Sequence, residues 1–166
     1  MQPIFSRNAV TWVYQADEHF SWNSEVPVGR DHYFRDQGGT VRLIIGSEGR
    51  ITVTRGYAWN GCTPKIVVLD QLIGTPDGAV HKSTGRPKTY FATMVHDALY
   101  QFLRAESPYS RRQADRFFLQ LMGESEFVLR HVYWIAVRAL GWISWSGKRI
   151  ARNWRGVGVV VEGTAP

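Results

Sequence analysis

The sequence contains little cysteine and little lysine. Cys62 is its single cysteine, which excludes an intrachain disulfide and a zinc site built from several cysteines. Sixteen of the twenty basic residues are arginines, so the net charge of +6 at pH 7 is carried almost entirely by guanidinium groups.

A long uncharged apolar run is missing too. The most apolar segment, 127–145, is interrupted by Arg130, His131 and Arg138, whereas a helix that spans a membrane needs about 20 consecutive apolar residues. Residues 1–10 also lack the basic stretch followed by an apolar one that marks a signal peptide. We therefore expect no transmembrane segment and no secretion by a signal peptide.

What the sequence does contain suffices for one folded domain. Its 166 residues are 44% hydrophobic, which is enough to bury a core. Seven of them are tryptophans, and tryptophan and arginine are both enriched at interfaces. This composition favours a domain that binds something, but it does not say what.

The first half of the chain is patterned as β-strands. Within residues 41–54, apolar and polar residues alternate on both sides of Ser47-Glu48-Gly49, which is the pattern of a hairpin. Residues 10–14 and 32–35 are weaker strand candidates. The segment 59–87 is rich in Gly and Pro and predicts a long loop, interrupted by one apolar run at 66–69.

Three helices are predicted in the second half, over residues 89–103, 110–122 and 126–140. The second begins with a capping box formed by Ser110 and Gln113, and Gly141 predicts the end of the third. The fold class is therefore α+β, with N-terminal antiparallel β-hairpins packed with a three-helix C-terminal half. We expect a single domain over 1–141 and a Trp/Arg-rich docking segment over 142–166. The last ten residues are either an edge strand against a partner or a free tail.

The candidate catalytic residues lie on the first two helices. Asp97 and Tyr100 share one face of the first helix, and His96 borders that face. A neutral histidine is a general base, and a neighbouring carboxylate orients a partner or holds a cation. Asp115 on the second helix approaches Asp97 if the two helices pack antiparallel. Asp97 and Asp115 are accordingly the candidate metal ligands, and a divalent cation is the one candidate cofactor.

Each of these residues also has a structural interpretation. Asp115 follows Arg111 and Arg112 by four and three residues, a spacing that a surface ion pair explains. His96 is equally compatible with a hydrogen-bonded position in the core, and Tyr100 with packing that leaves its hydroxyl at the rim.

Two further segments carry candidate binding residues. In the loop that follows Trp59, Asn60 and Thr63 bear oxygen atoms of the type that ligates hard cations, although a structural turn explains them as well. The docking segment carries the candidate interaction residues, which are Trp142, Trp145, Lys148, Arg149, Arg152, Trp154 and Arg155. Their composition fits a protein partner and also the surface of a membrane. Nucleic acid is disfavoured, because no helix carries a dense basic face.

Five strings of the sequence belong together: YAWNGCTPK at 57–65, GRP at 85–87, VHDALY at 95–100, SRRQADRFF at 110–118 and AVRALG at 136–141. In this order they resemble a family of small phage and prophage proteins known as domain of unknown function 1353. The resemblance covers about residues 56–141 and implies a tailed-phage origin without an established activity. That family usually has an aspartate where this chain has Asn60, which weakens a metal site in the loop.

A shorter string is similar to the His-Asp-x-x-Tyr sequence of secreted phospholipases. That resemblance implies that His96 is the base, that Asp97 binds calcium and that Tyr100 supports a distant aspartate, the position Asp115 would fill. The paired cysteines and the Gly-rich calcium loop of those enzymes are missing here.

Two classes of function remain open. The first is a phage-encoded structural or interaction protein, such as a tail or capsid-associated virion component, which docks on other phage proteins through residues 142–166. The second is a small metal-dependent hydrolase that uses His96 and Asp97 on a cell-envelope component or a phosphoester. Both interpretations place the protein in the host cytoplasm during assembly, and the first also in the virion.

Overall fold

The computed structural model of the protein describes residues 14–36, 38–59, 66–68, 71–73, 80–82, 84–102, 108–145 and 160–162. Side chains are described for all of these except 66–68, 71–73, 140–145 and 160–162. The elements in chain order are β1 (Tyr14–Gln15), β2 (Phe20–Asn23), β3 (His32–Arg35), β4 (Val41–Ile45), β5 (Arg50–Val53), β6 (Ala58–Trp59), β7 (Ile66–Val68), β8 (Gln71–Ile73), α1 (Tyr90–Phe102), α2 (Arg111–Glu124), α3 (Arg130–Trp145) and β9 (Val160–Glu162). Antiparallel strands precede three helices, so the predicted α+β class is confirmed.

The main sheet has five antiparallel strands in the order β2-β5-β4-β3-β9. The predicted hairpin is its centre, with Leu43 opposite Val53 and Ile45 opposite Ile51. All four of these side chains are fully buried. Alternate residues of a strand point to the same face, so the period-two pattern of the sequence has turned the apolar face of the hairpin onto the helices.

Gly49 closes this hairpin at a φ of +89° and at a close approach of two backbones. A Cβ atom placed there would lie 2.5 Å from the carbonyl oxygen of Val26. The Gly49 carbonyl in turn accepts a hydrogen bond from the amide of Ser24. Glycine is required here because it alone has a low-energy conformation and enough space.

The helices pack in sequence, with α1 between the sheet and α2, and α2 between α1 and α3. Ten of the thirteen residues of α1 are buried, because it has neighbours on both sides. At the start of α2, the Ser110 hydroxyl accepts from the Gln113 amide and the Gln113 side chain accepts from the Ser110 amide. The predicted capping box is therefore confirmed.

The predicted limits of the third helix are wrong at both ends. Glu126 has a φ of +54° and the amide of Phe127 bonds back to the Met122 carbonyl, so the chain turns before α3 begins at Arg130. At the other end α3 continues through Gly141 to Trp145. A glycine inside a helix costs only about 1 kcal/mol, which the flanking helical residues outweigh. The expected boundary between residues 141 and 142 therefore falls inside a helix.

Five of the strands differ from the sequence prediction. The strand β2 was not predicted, and the segment predicted as a long loop contains the hairpin β7–β8. The expected strand near residues 10–14 is the short β1, which pairs with β6. The C-terminal strand β9 pairs with β3 of the same chain, where a partner or a free tail had been expected. Among the described residues, none of the helices has the length and the apolar character needed to cross a membrane.

Candidate active site

Helices α1 and α2 bring the predicted catalytic residues together where they pack against each other. His96 and Tyr100 are four residues apart on α1, so both side chains project from the same face of that helix. Asp115 projects from the first half of α2 toward them. All three residues are buried, and Asp115 has no exposed surface at all.

The carboxylate of Asp115 is the centre of this cluster. Its Oδ1 atom accepts hydrogen bonds from His96 Nε2 at 3.0 Å and from the Tyr100 hydroxyl. Its Oδ2 atom accepts from Arg138 Nη1 at 2.9 Å and lies 3.6 Å from Arg111 Nε. The ion pair with Arg111 agrees with the structural interpretation of the sequence. The expected surface position is wrong, because the carboxylate is fully buried.

The two arginines fix this carboxylate from two different helices. Arg111 donates to the Tyr100 hydroxyl and, through Nη2, to the carbonyl oxygens of Val137 and Arg138 on α3. Arg138 extends from α3 to Asp115. A buried carboxylate is tolerable only when it is paired and hydrogen-bonded, and here three helices supply the partners.

The electrostatics of the pair follow from these contacts. Burial opposes the charge on Asp115, but the hydrogen bonds from His96 and Tyr100 outweigh it and lower the pKa of this carboxyl. Burial likewise opposes the charge on His96, but the Asp115 and Asp97 carboxylates outweigh it and raise the pKa of the imidazole. The pKa of Tyr100 is raised by burial and by its bond to Asp115, so the hydroxyl keeps its proton. Asp115 is therefore an anion that stabilises a charged histidine.

The hydrogen bond to Asp115 also determines the tautomer of His96. An ionised carboxylate can only accept, so Nε2 carries the proton and Nδ1 is the basic atom of the neutral ring. Nδ1 lies 3.9 Å from Asp97 Oδ1. The ring itself is held between Tyr100 and Phe118, with centroids 4.2 and 4.7 Å away. The basic nitrogen thus points away from the buried carboxylate and toward the partly exposed Asp97.

Tyr57 and Gln101 lie beside Asp97, and sequence analysis missed both. The Tyr57 hydroxyl donates to Gln101 Oε1 at 2.9 Å, and Gln101 lies one helical turn after Asp97 on α1. Burial raises the pKa of Tyr57 well above its usual value, and the negative charge of Asp97 adds to that effect. Tyr57 precedes β6, so only the tertiary fold brings it to α1.

Polar side chains of α1 other than His96 are also buried and hydrogen-bonded within the protein. Thr93 is buried and accepts a hydrogen bond from the indole of Trp59 at 3.2 Å, while donating to the Tyr90 carbonyl. Tyr100 is turned toward Asp115. The sheet and α2 cover both sides of α1. The hydroxyl groups of Thr93 and Tyr100 are therefore paired within the protein.

The candidate metal ligands do not converge. Both oxygens of Asp115 are occupied by hydrogen-bond and ion-pair partners, two of which are arginines. Asp97 lies near Nδ1 of His96, whereas Asp115 bonds to Nε2. Within the part of the chain that is described, no group of three His, Cys, Asp or Glu residues is placed to hold a metal ion. The donor set of Asp115 therefore does not fit a metal, and no chemical step below is derived through one.

The remaining candidate residues lie outside the described side chains. Asn60 and Thr63 are outside the described residues, as are Lys148, Arg149, Arg152, Trp154 and Arg155. Trp142 and Trp145 are in the last turn of α3, where the backbone alone is described. The predicted binding roles of these residues stay predictions.

The fold and this site define an α+β protein with a buried histidine–aspartate pair between two helices. Residues 79–137 match the model of a family described as protein of unknown function (DUF1353). The resemblance predicted from the sequence is thereby confirmed over this range, which contains His96, Asp97, Tyr100 and Asp115. No curated protein and no solved structure matches the chain significantly.

Proposed function

We propose that this protein is a small hydrolase in which His96 is the general base. The observation that carries the proposal is the buried hydrogen bond between His96 Nε2 and Asp115 Oδ1, which leaves Nδ1 as the basic atom. A base oriented by a carboxylate on its other nitrogen is the arrangement that hydrolytic sites need. The proposed substrate is a cell-envelope component or a phosphoester.

In the proposed reaction, His96 Nδ1 accepts a proton from a water molecule as its oxygen attacks the ester. The carboxylate of Asp115 stabilises the imidazolium that forms, and the proton then passes from Nδ1 to the leaving oxygen. Tyr100 and Arg138 position Asp115 and keep it ionised through the contacts they make. Asp97, whose Oδ1 lies 3.9 Å from Nδ1, orients the water in this proposal by accepting its second hydrogen.

The raised pKa of His96 sets the pH at which this base works. Burial would favour the neutral ring, but Asp115 and Asp97 outweigh burial and hold the proton more tightly than in a free histidine. Nδ1 therefore becomes available only as the pH rises above the ordinary value of about 6.5. Hydrolysis should increase across that range.

The experiment compares His96→Gln with His131→Gln on three substrates: a chromogenic carboxylic ester, a chromogenic phosphodiester and a phospholipid. Glutamine keeps a donor toward Asp115 but has no basic nitrogen, so we expect kcat to fall by about 10²- to 10⁴-fold. His131 is exposed on α3, and its variant should retain full activity. Hydrolysis that is equal in the wild type and in His96→Gln would contradict the proposal.

A second candidate function is that of a phage structural or interaction protein. The exposed apolar side chains of α3, next to the predicted docking segment, support it. Its test is the triple substitution Arg149→Gln, Arg152→Gln and Arg155→Gln in a phage that encodes the protein. Loss of the protein from purified particles, with normal folding, would favour this role, and unchanged incorporation would count against it.

A further inference from the structure

The first half of α3 and the two residues before it expose apolar side chains to solvent. Val128, Val132 and Ile135 are 87%, 60% and 59% exposed, and Leu129 is 51% exposed. These four account for all but one of the large hydrophobic residues that are exposed among the described side chains. A cluster of this kind on one surface marks an interaction site. We call these four residues the α3 apolar face.

The opposite side of the same helix is already used for folding. Val137 is buried, and Tyr133 and Trp134 pack against the core that α3 shares with α2. A helix that is apolar on both sides is stable only when both sides are covered. Val132 and Ile135 lie three residues apart on α3, and Val128 and Leu129 come immediately before its first residue, so the four side chains are grouped at the start of the helix.

The charge of the sequence that contains this helix and follows it indicates what covers the face. Between Glu126 and Glu162 the sequence has no Asp or Glu, whereas it has five arginines and one lysine. Four tryptophans, at 134, 142, 145 and 154, lie in the same stretch. An apolar helix face accompanied by basic residues and tryptophan is the composition of a segment that lies in the interface of an anionic bilayer.

We propose that the α3 apolar face docks on the surface of a bilayer that contains anionic lipids. A second copy of the chain is disfavoured, because each copy would bring the same excess of positive charge over residues 127–161 and the two would repel each other. A fluid bilayer also accepts a convex helix face without a preformed groove. This inference concerns binding and goes beyond the proposed hydrolysis, so each can fail without the other.

The test is flotation of the full chain with vesicles of phosphatidylcholine alone or of phosphatidylcholine mixed with phosphatidylglycerol. We expect binding to the mixed vesicles that weakens as salt is added, since salt screens the attraction of exposed charges. The variants Val132→Glu and Ile135→Glu should each lower this binding by about tenfold or more, because a charge then enters the interface. Both positions are exposed, so the substitutions should leave the fold intact.

Val80→Glu is the matched control. It makes the same change at the exposed valine outside this face, which is 44% exposed, and should bind vesicles as the wild type does. The proposal is overturned if the wild type does not float with mixed vesicles, or if Val132→Glu and Val80→Glu bind equally. A dimer of the chain, or a complex with a phage protein, would also overturn the proposal under two conditions. The assembly must prevent binding to vesicles, and Val132→Glu must dissociate it.

Discussion

His96 Nε2 lies 3.0 Å from Asp115 Oδ1 across the contact between α1 and α2, and both residues are buried. The bond joins two helices that the short segment 103–110 connects, so the packing of the helices and the orientation of the imidazole depend on each other. A single interaction thus contributes both to the stability of the protein and to the candidate site.

Replacing Asp115 should destabilise the protein strongly. Asp115→Ala removes the acceptor shared by His96 and Arg138 and leaves the buried imidazolium of His96 without this partner, which costs about 3–5 kcal/mol. The free energy of unfolding in urea measures this loss. The control is Asp17→Ala, which breaks the exposed ion pair with Arg86 and should cost no more than about 1 kcal/mol. Equal losses of unfolding free energy in the two variants would contradict a special contribution of the buried Asp115 to stability.

The hydroxyl of Tyr100 should contribute to stability and to the charge state of Asp115. Tyr100→Phe removes the donor to Asp115 and the acceptor of Arg111, and a hydrogen bond to a charged group contributes about 1.5–3 kcal/mol. The pKa of Asp115 should rise, because a donor that stabilises its anion is lost. Urea unfolding near neutral and at acidic pH measures both effects. A variant as stable as the wild type under both conditions would contradict this role.

The raised pKa of His96 predicts a dependence of stability on pH. Burial lowers this pKa, and the two carboxylates raise it by more, so the folded protein binds the proton more tightly than the unfolded chain does. The resulting stabilisation is fully present below the unfolded pKa of about 6.5 and is lost as the pH rises through the folded pKa. Urea unfolding on both sides of this range should show the decrease. It should be absent from His96→Gln and retained in His131→Gln.

The lowered pKa of Asp115 has the opposite consequence at acidic pH. Burial raises this pKa, but hydrogen bonds lower it by more, so stabilisation is present above the unfolded value of about 3.9 and is lost as the pH falls through the folded pKa. The protein should therefore be most stable at pH values between the pKa of Asp115 and that of His96, and should lose stability on either side of this range.

Gly49 should be sensitive to substitution because of its surroundings as well as its φ. Gly49→Ala places a Cβ atom 2.5 Å from the Val26 carbonyl oxygen, so the backbone must move. Gly39 has a similar φ of +80° but nothing within 4 Å of its Cβ position. We expect Gly39→Ala to cost about 1–2 kcal/mol from φ alone and Gly49→Ala to cost more. Thermal melts of the two variants test this, and equal shifts would show that the contact with Val26 relaxes without cost.

Local sequence patterns are sufficient to predict the elements whose interacting residues are close together in the sequence. The β4–β5 hairpin and the capping box at Ser110 depend on neighbouring residues, and both were found. The strand β2 pairs with β5 about 30 residues away, and β9 pairs with β3 across most of the chain. Such strands are stabilised by partners that a local window does not contain, which is why they were missed or misassigned.

The sequence alone is sufficient to identify four side chains of the candidate site, three on α1 and Asp115 on α2. His96, Asp97 and Tyr100 share one helix, and helical spacing fixes their order around its axis. The role of each of these side chains depends on the tertiary structure. It buried Asp115, placed Nε2 of His96 on that carboxylate and left Nδ1 as the base. It also brought in Arg138 and Tyr57 from other elements. The reason is physical: hydrogen-bond partners and burial depend on how the helices and the sheet pack, and spacing along one helix does not contain that information.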